Sequence, residues 1–198
     1  MNADLKVGNS LVVIGAGGGL GQFAVGYGLV HGAHVVGIDT GSAKRELVKS
    51  LGADFLDFAV TSDLVGEVTK MTAGGAHAVV VTAGNSQAYA AAADMLRIGG
   101  TLSACGIPPG GGNMETKMST IVIKGLRIKG NLVGSLKECT DAVDLVRRGA
   151  VKPRVLVRPF RDLPAVYEEL EKGDIAGRVV LQVGKDPIDE EPFTRARL

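Results

Sequence analysis

Three glycines at three-residue intervals, Gly15, Gly18 and Gly21, stand directly behind the apolar run Leu11–Ile14. Asp39 follows 18 residues after the last of them. Glycine exposes main-chain N–H groups with no Cβ in the way. A glycine turn that opens a helix offers unpaired N–H groups and the positive end of the helix dipole, which together hold an anion. A diphosphate is the natural guest. An acid at the end of the next strand then accepts hydrogen bonds from the hydroxyls of an attached ribose. Such charge-assisted bonds contribute roughly 1.5–3 kcal/mol each. The pattern is G-x-x-G-x-x-G rather than literal G-x-G-x-x-G, because Leu20 occupies the sixth position counted from Gly15. The chemistry implied is recognition of a dinucleotide. Asp39 would repel a 2′-phosphate, so NAD is favoured over NADP, while Arg45 is near enough in sequence to keep NADP open. The alternative is that Asp39 is a solvated turn residue.

Other reactive patterns are thin. The only cysteines are Cys105 and Cys139, which exclude a disulfide scaffold and a four-thiolate zinc site and point to a reducing compartment. His31 and His34 are i, i+3 neighbours but straddle a helix end and a strand start, and two histidines do not make an open zinc site. His77 heads a strand and reads as structural. Tyr27, Tyr89 and Tyr167 are each followed four residues on by a residue other than lysine, there is no G-x-S-x-G elbow, and no Walker lysine follows the glycines.

The elements that must position these residues can be read from the apolar runs. Runs at Leu11–Ile14, His34–Ile38, Ala53–Phe58, Ala78–Thr82 and Thr101–Cys105 predict strands. Between them lie predicted helices: one through Phe23, Tyr27 and Val30, one from N-cap Ser42 to Leu51, one from Ser62 to Thr72, and one from cap Asn85 to Arg97. This β-α-β-α order predicts an α/β fold, a doubly wound parallel (Rossmann) sheet in three α/β/α layers. Continuous apolar strands fit burial on both faces. The second half predicts a loop from Ile107 to Gly112, a helix over Met114–Lys124, a strand over Leu126–Val133, and a capping-box helix from Ser135 to Arg148. A strand at Val155–Val157, a helix over Asp162–Lys172 and a strand at Arg178–Val183 complete it. Residues 1–183 are expected to form the dinucleotide-binding domain and 184–198 a polar tail.

The 198 residues are 45% hydrophobic and 22% charged, with a net charge of +1, which argues against a disordered chain and against a nucleic-acid binder. Leu11 to Ile38 carries no Asp, Glu, Lys or Arg, yet nine of its residues are glycine, so a buried strand-turn-helix-strand is expected rather than a membrane span. The start Met1-Asn2-Ala3-Asp4 lacks a basic, apolar signal, so a cytoplasmic protein is expected.

Val7-Gly8, Leu11–Gly21, Ile38-Asp39 with Lys44, Leu51-Gly52-Ala53, Gly74-Gly75-Ala76-His77, Gly106-Ile107-Pro108 and Gly173–Val180 resemble the zinc-dependent alcohol dehydrogenases of the medium-chain dehydrogenase/reductase superfamily, most of all the yeast and bacterial tetrameric type. The likeness covers residues 5–183. It implies that Gly18, Gly19, Leu20 and Gly21 form the turn under the diphosphate. It implies that Asp39 and Lys44 hold the ribose and that Arg178 neutralises the diphosphate. It further implies that Cys105, Gly106 and Ile107, with Asn131 and Val133, meet the nicotinamide amide. Cys105 can equally be a small core residue, and Lys44 and Arg178 solvated surface charges. The likeness also implies a homodimer through the edge strand 126–133.

The sequence departs from that family in one respect. The Gly-His-Glu zinc motif and the four-cysteine lobe are missing from it, and Met1 stands ten residues before Leu11. The expectation is a cofactor domain with no zinc and without the family's N-terminal catalytic domain, against which 151–183 normally packs. The leading reading is an NAD(H)-binding, alcohol dehydrogenase-like oxidoreductase acting on a small molecule, with Thr82, Ser86 and Cys105 as the only candidate catalytic groups. The alternatives are a family member recruited to non-redox isomerisation or cyclisation, and a non-catalytic module that binds a partner.

Overall fold

Alternate residues of the first strand explain the layering. In β1 (Ser10–Ile14), Leu11 and Val13 enter one apolar cluster, with Val25, Val35 and Val48. Val12 and Ile14 enter another, with Val36, Ile38, Val79, Ala92 and Met95. Successive side chains of a strand point to opposite faces, so a strand that is apolar on both faces needs helices on both. A computed structural model describes residues 3–184.

The helices that cover these faces are α1 (Gly21–Val30), α2 (Ser42–Ser50), α3 (Leu64–Met71) and α4 (Ser86–Met95). The strands between them are β2 (His34–Asp39), β3 (Asp54–Asp57), β4 (Ala76–Val81) and β5 (Leu96–Ala104). After α5 (Met118–Lys124) comes β6 (Arg127–Gly130). The six strands form one sheet in the order β3-β2-β1-β4-β5-β6, parallel at every pairing. The expected doubly wound Rossmann fold is therefore observed. The strand order reverses between β1 and β4, and a crevice opens there at the carboxyl ends of the strands.

The chain ends in α6 (Leu136–Arg147), β7 (Val155–Pro159), α7 (Leu163–Lys172) and β8 (Arg178–Gln182). β7 and β8 pair parallel in a two-stranded sheet of their own. This segment nevertheless docks on the main sheet. Val151 is buried against Gly26 of α1, where any Cβ would displace it. The Gln22 side chain both donates to the Arg154 carbonyl (3.2 Å) and accepts from the Arg154 N–H (2.7 Å).

Several boundaries differ from the sequence reading. The edge strand spans only Arg127–Gly130, not 126–133. Asn131 adds one more ladder bond, its N–H donating to the Ala104 carbonyl at 2.8 Å, and the chain then leaves the sheet. α4 stops at Met95 rather than Arg97, because Leu96 is already extended and paired with Ala76. α3 is capped by Asp63 rather than Ser62, the carboxylate accepting from the Gly66 N–H at 2.8 Å. The cap residue of α2 is Gly41, and Ser42 is its first helical residue. α5 begins at Met118, four residues late, because Met114 packs instead against the core. Of the 184–198 tail, all but Gly184 lies outside the described residues.

Candidate functional site

The glycine turn owes its shape to close approaches. Gly15 has φ +84°, and a Cβ there would fall 2.8 Å from the Thr82 hydroxyl. A Cβ on Gly21 would collide with the Gly15 carbonyl oxygen, so the first turn of α1 is pressed against the end of β1. No side chain caps this helix and no acid lies in its first turn. Gly18 N–H bonds back to the Gly15 carbonyl, and Gln22 N–H to the Gly18 carbonyl. The N–H groups of Gly19, Leu20 and Gly21 have no acceptor among the described residues. Three unpaired donors at a helix N-terminus constitute an anion site.

Asp39 lies beside this turn with only 6% of its surface exposed. Its carboxylate accepts from Gly17 N–H (2.9 Å), Thr40 N–H (2.9 Å) and Lys44 Nζ (3.0 Å). Oδ1 carries two of these bonds and Oδ2 one, and an ionised carboxylate has about four acceptor positions. One position on Oδ2 remains for a hydroxyl. The Lys44 stem lies directly on Gly17, where any side chain would displace it. Asp39 is thus a buried acid with three of its acceptor positions engaged, not a solvated turn residue, and Lys44 is its partner rather than a free surface charge.

The C-terminal segment closes the other wall. Gly177 N–H donates to the Gly17 carbonyl at 2.8 Å. The Arg178 guanidinium lies over Gly19, 3.0 Å from where a Cβ would stand. A cleft of about 900 Å³ results, lined by the glycine turn, Asp39, Lys44, Thr82 and Arg178, with Phe58, Met95, Val166 and Leu170 as apolar walls. That volume is in the range of ligand sites.

The residues assigned to the nicotinamide amide are not gathered there. Gly106 and Ile107 line a separate hollow of about 230 Å³ beside Tyr89 and Pro108. Gly106 itself abuts the end of β4, its α-carbon face closed by the Ala83 carbonyl. The Asn131 side chain donates to the Ser103 hydroxyl at 2.8 Å, inside the sheet edge. Val133 is 89% exposed. Among the candidate catalytic groups, Thr82 lines the cleft but donates its proton to the carbonyls of Ile14 and Gly15. Burial pushes the Cys105 thiol up from its ordinary value of 9.0, against a weaker opposing bond from Ser103. The Ser86 hydroxyl faces Gly112. None of the three is set up here as a base or a nucleophile.

The sequence reading missed Gln22, Gly17 and the apolar walls. Gln22 could have been found as a polar residue in the first turn of an otherwise apolar helix. His77 is a structural residue, as expected. Its Nδ1 accepts from the Ser10 N–H at 3.0 Å, and Arg97 lies 2.6 Å from its Nε2, at the opposite end of the sheet. His34 pairs with Asp54 on the surface.

The model of the zinc-binding dehydrogenase family matches residues 19–148. The chain belongs to that family. It is 36% identical over 184 residues to alcohol dehydrogenase 1 of Emericella nidulans, covering 91% of this chain and 52% of that protein. It is 40% identical over 179 residues to an alcohol dehydrogenase of Schizosaccharomyces pombe, covering 90% of this chain and 51% of that one. The crystal structure of the alcohol dehydrogenase of Aeropyrum pernix superposes with a TM-score of 0.83 at 28% identity, covering 92% of this chain and 52% of that one. The resemblance to zinc-type alcohol dehydrogenases is therefore sound, and the chain spans about half the length of the relatives it matches. The family's name implies zinc. Among the described residues no group of three His, Cys, Asp or Glu converges as a ligand set, so they do not fit that metal. No helix among them is long and apolar enough to cross a membrane.

Proposed function

We propose that this chain supplies the NAD(H)-binding half of an alcohol dehydrogenase-type oxidoreductase. The observation that carries this reading is the cleft in which the unpaired N–H groups of Gly19, Leu20 and Gly21 face the same space as Asp39. A diphosphate would rest on those donors, with the Arg178 guanidinium beside it. The remaining Oδ2 position of Asp39 would take a ribose hydroxyl, and Lys44 would hold the acid in place. When bound, the nicotinamide accepts or returns a hydride. The chain's part is to fix the adenosine and diphosphate, so that the ring lies toward Thr82 and the Cys105–Ile107 turn, with Asn131 and Val133 beyond.

NAD is preferred over NADP because Asp39 leaves no room for another negative group. The matches to alcohol dehydrogenases support this reading over non-redox chemistry or a purely binding role. We further read residues 1–183 as one cofactor-binding unit of a cytoplasmic protein that acts on a small molecule, with a homodimer formed through the short edge strand β6. Isothermal titration of the full chain with NADH and with ADP-ribose tests the assignment. Binding of both is expected, and silence with both overturns it.

A further inference from the structure

The first turn of α1 is tied to the C-terminal segment at two points, and both ties converge on Arg178. One is backbone to backbone: the Gly177 N–H donates to the Gly17 carbonyl at 2.8 Å. The other is a side chain. Gln22, the residue after Gly21, is only 1% exposed. Its Nε2 donates to the Arg154 carbonyl (3.2 Å) and its Oε1 accepts from the Arg154 N–H (2.7 Å). A carboxamide carries a donor and an acceptor in one plane, so it pairs with a peptide unit as a neighbouring strand would. The Arg154 carbonyl also accepts from the Arg178 N–H at 3.0 Å. Gln22, Arg154 and Arg178 thus form a continuous chain of bonds from the helix to the first residue of β8. No carboxylate among the described residues pairs with the Arg178 guanidinium. Its place over Gly19 is therefore set by where its backbone is held.

Resting on the dinucleotide reading above, we propose that Gln22 is a positioning residue for the diphosphate, holding Arg154 so that the Arg178 guanidinium stands over the glycine turn. The anion site takes its N–H groups from α1 and its cation from β8, and Gln22 is the side chain that joins the two. Gln22 does not line the cleft, so it acts through Arg178.

The test is a double-substitution cycle on ADP-ribose affinity in the full chain, measured by isothermal titration. Gln22→Met keeps the length of the side chain and removes both bonds to Arg154. It is expected to lower ADP-ribose affinity by about tenfold, the weight of one charge-assisted bond. Arg178→Gln is expected to lower it by a similar factor. In the Arg178→Gln background, Gln22→Met is expected to cost less than about twofold, since the guanidinium it positions is gone. A merely structural glutamine would cost the same factor in both backgrounds. If the chain binds ADP-ribose while Gln22→Met is neutral, or if the two losses multiply, the role of Gln22 is overturned and the dinucleotide site stands. If Gln22→Met fails to fold, the Arg154 amide resonance decides. It is expected to shift as ADP-ribose is added to the unsubstituted chain, and to stay in place when ADP-ribose saturates Arg178→Gln. A resonance that behaves alike in both chains overturns the proposal. If neither NADH nor ADP-ribose binds the unsubstituted chain, the dinucleotide reading fails and takes this inference with it.

Discussion

The middle of the parallel sheet and its β6 edge are built to different standards. Around β1, β2 and β4, nearly every strand residue is buried, and the glycine turn is fixed by contacts within the same stretch of chain. Around β6 the reverse holds. None of α5, β6 or α6 has a buried residue, and Leu132, Val133 and Leu136 are more than 80% exposed. Hydrophobic burial contributes about 25 cal/mol per Å², so stiffness should follow the first region and not the second. The glycine-turn end of the cleft, where we propose the diphosphate rests, is therefore preorganised by the chain itself. The proposed nicotinamide end rests on elements with an uncovered face.

Substitutions at matched glycines would break or sharpen this contrast most strongly. Gly21→Ala forces a methyl into the Gly15 carbonyl and should destabilise the fold by about 3 kcal/mol or more, read as a shift of the urea midpoint. Should Gly21→Ala prove neutral, the tight turn is not what holds this end together. Asp39→Ala comes next. It strands the Gly17 and Thr40 N–H groups and the Lys44 ammonium, which costs about 2–3 kcal/mol. Dinucleotide affinity should fall at least about tenfold, and an unaltered titration would remove Asp39 from the site.

A smaller effect is expected from His77, on the floor of the ordered region. Burial, aided by the Arg97 charge, holds its imidazole below the ordinary 6.5. The unfolded chain therefore takes up a proton before the folded one. Stability from this residue is complete above pH 6.5 and declines as pH falls through 6.5 toward the lower folded value. Urea midpoints between pH 7.5 and 5.5 should show a decline that His77→Gln reduces. An identical profile in that variant would assign the decline elsewhere. The smallest effect is expected at the open edge. A Cβ on Gly130 meets nothing within 4 Å, so Gly130→Ala should change stability by no more than about 0.5 kcal/mol. A large loss there would mean that β6 is covered in solution.

The same contrast governs what could be read from the sequence. The ordered region announces itself: apolar runs mark β1, β2 and β4, and the spacing of Gly15, Gly18, Gly21 and Asp39 is local information. Asp39 was legible as an acid at a strand end, but its bond to Gly17 joins residues 22 apart and was not. Long-range matters decide the misses. Leu96 leaves the Ala-rich helix because Ala76 offers it a strand partner, and alanine content carries no trace of that. The run Leu126–Val133 is long enough for eight strand residues, yet Thr101–Ala104 of β5 offer partners only to Arg127–Gly130. The docking of 151–183 through Gln22 and Gly177 joins residues more than 100 positions apart, beyond any periodicity.

The central claim is that main-chain N–H groups at the opening of α1 receive an anion. Amide NMR of the full chain titrated with ADP-ribose tests it at those atoms. The account predicts large, saturable shifts of the Gly19, Leu20 and Gly21 amide resonances, with Gly17 following through its bond to Asp39 and Arg127–Gly130 unmoved. Saturable binding that leaves the resonances of residues 19–21 in place would contradict it.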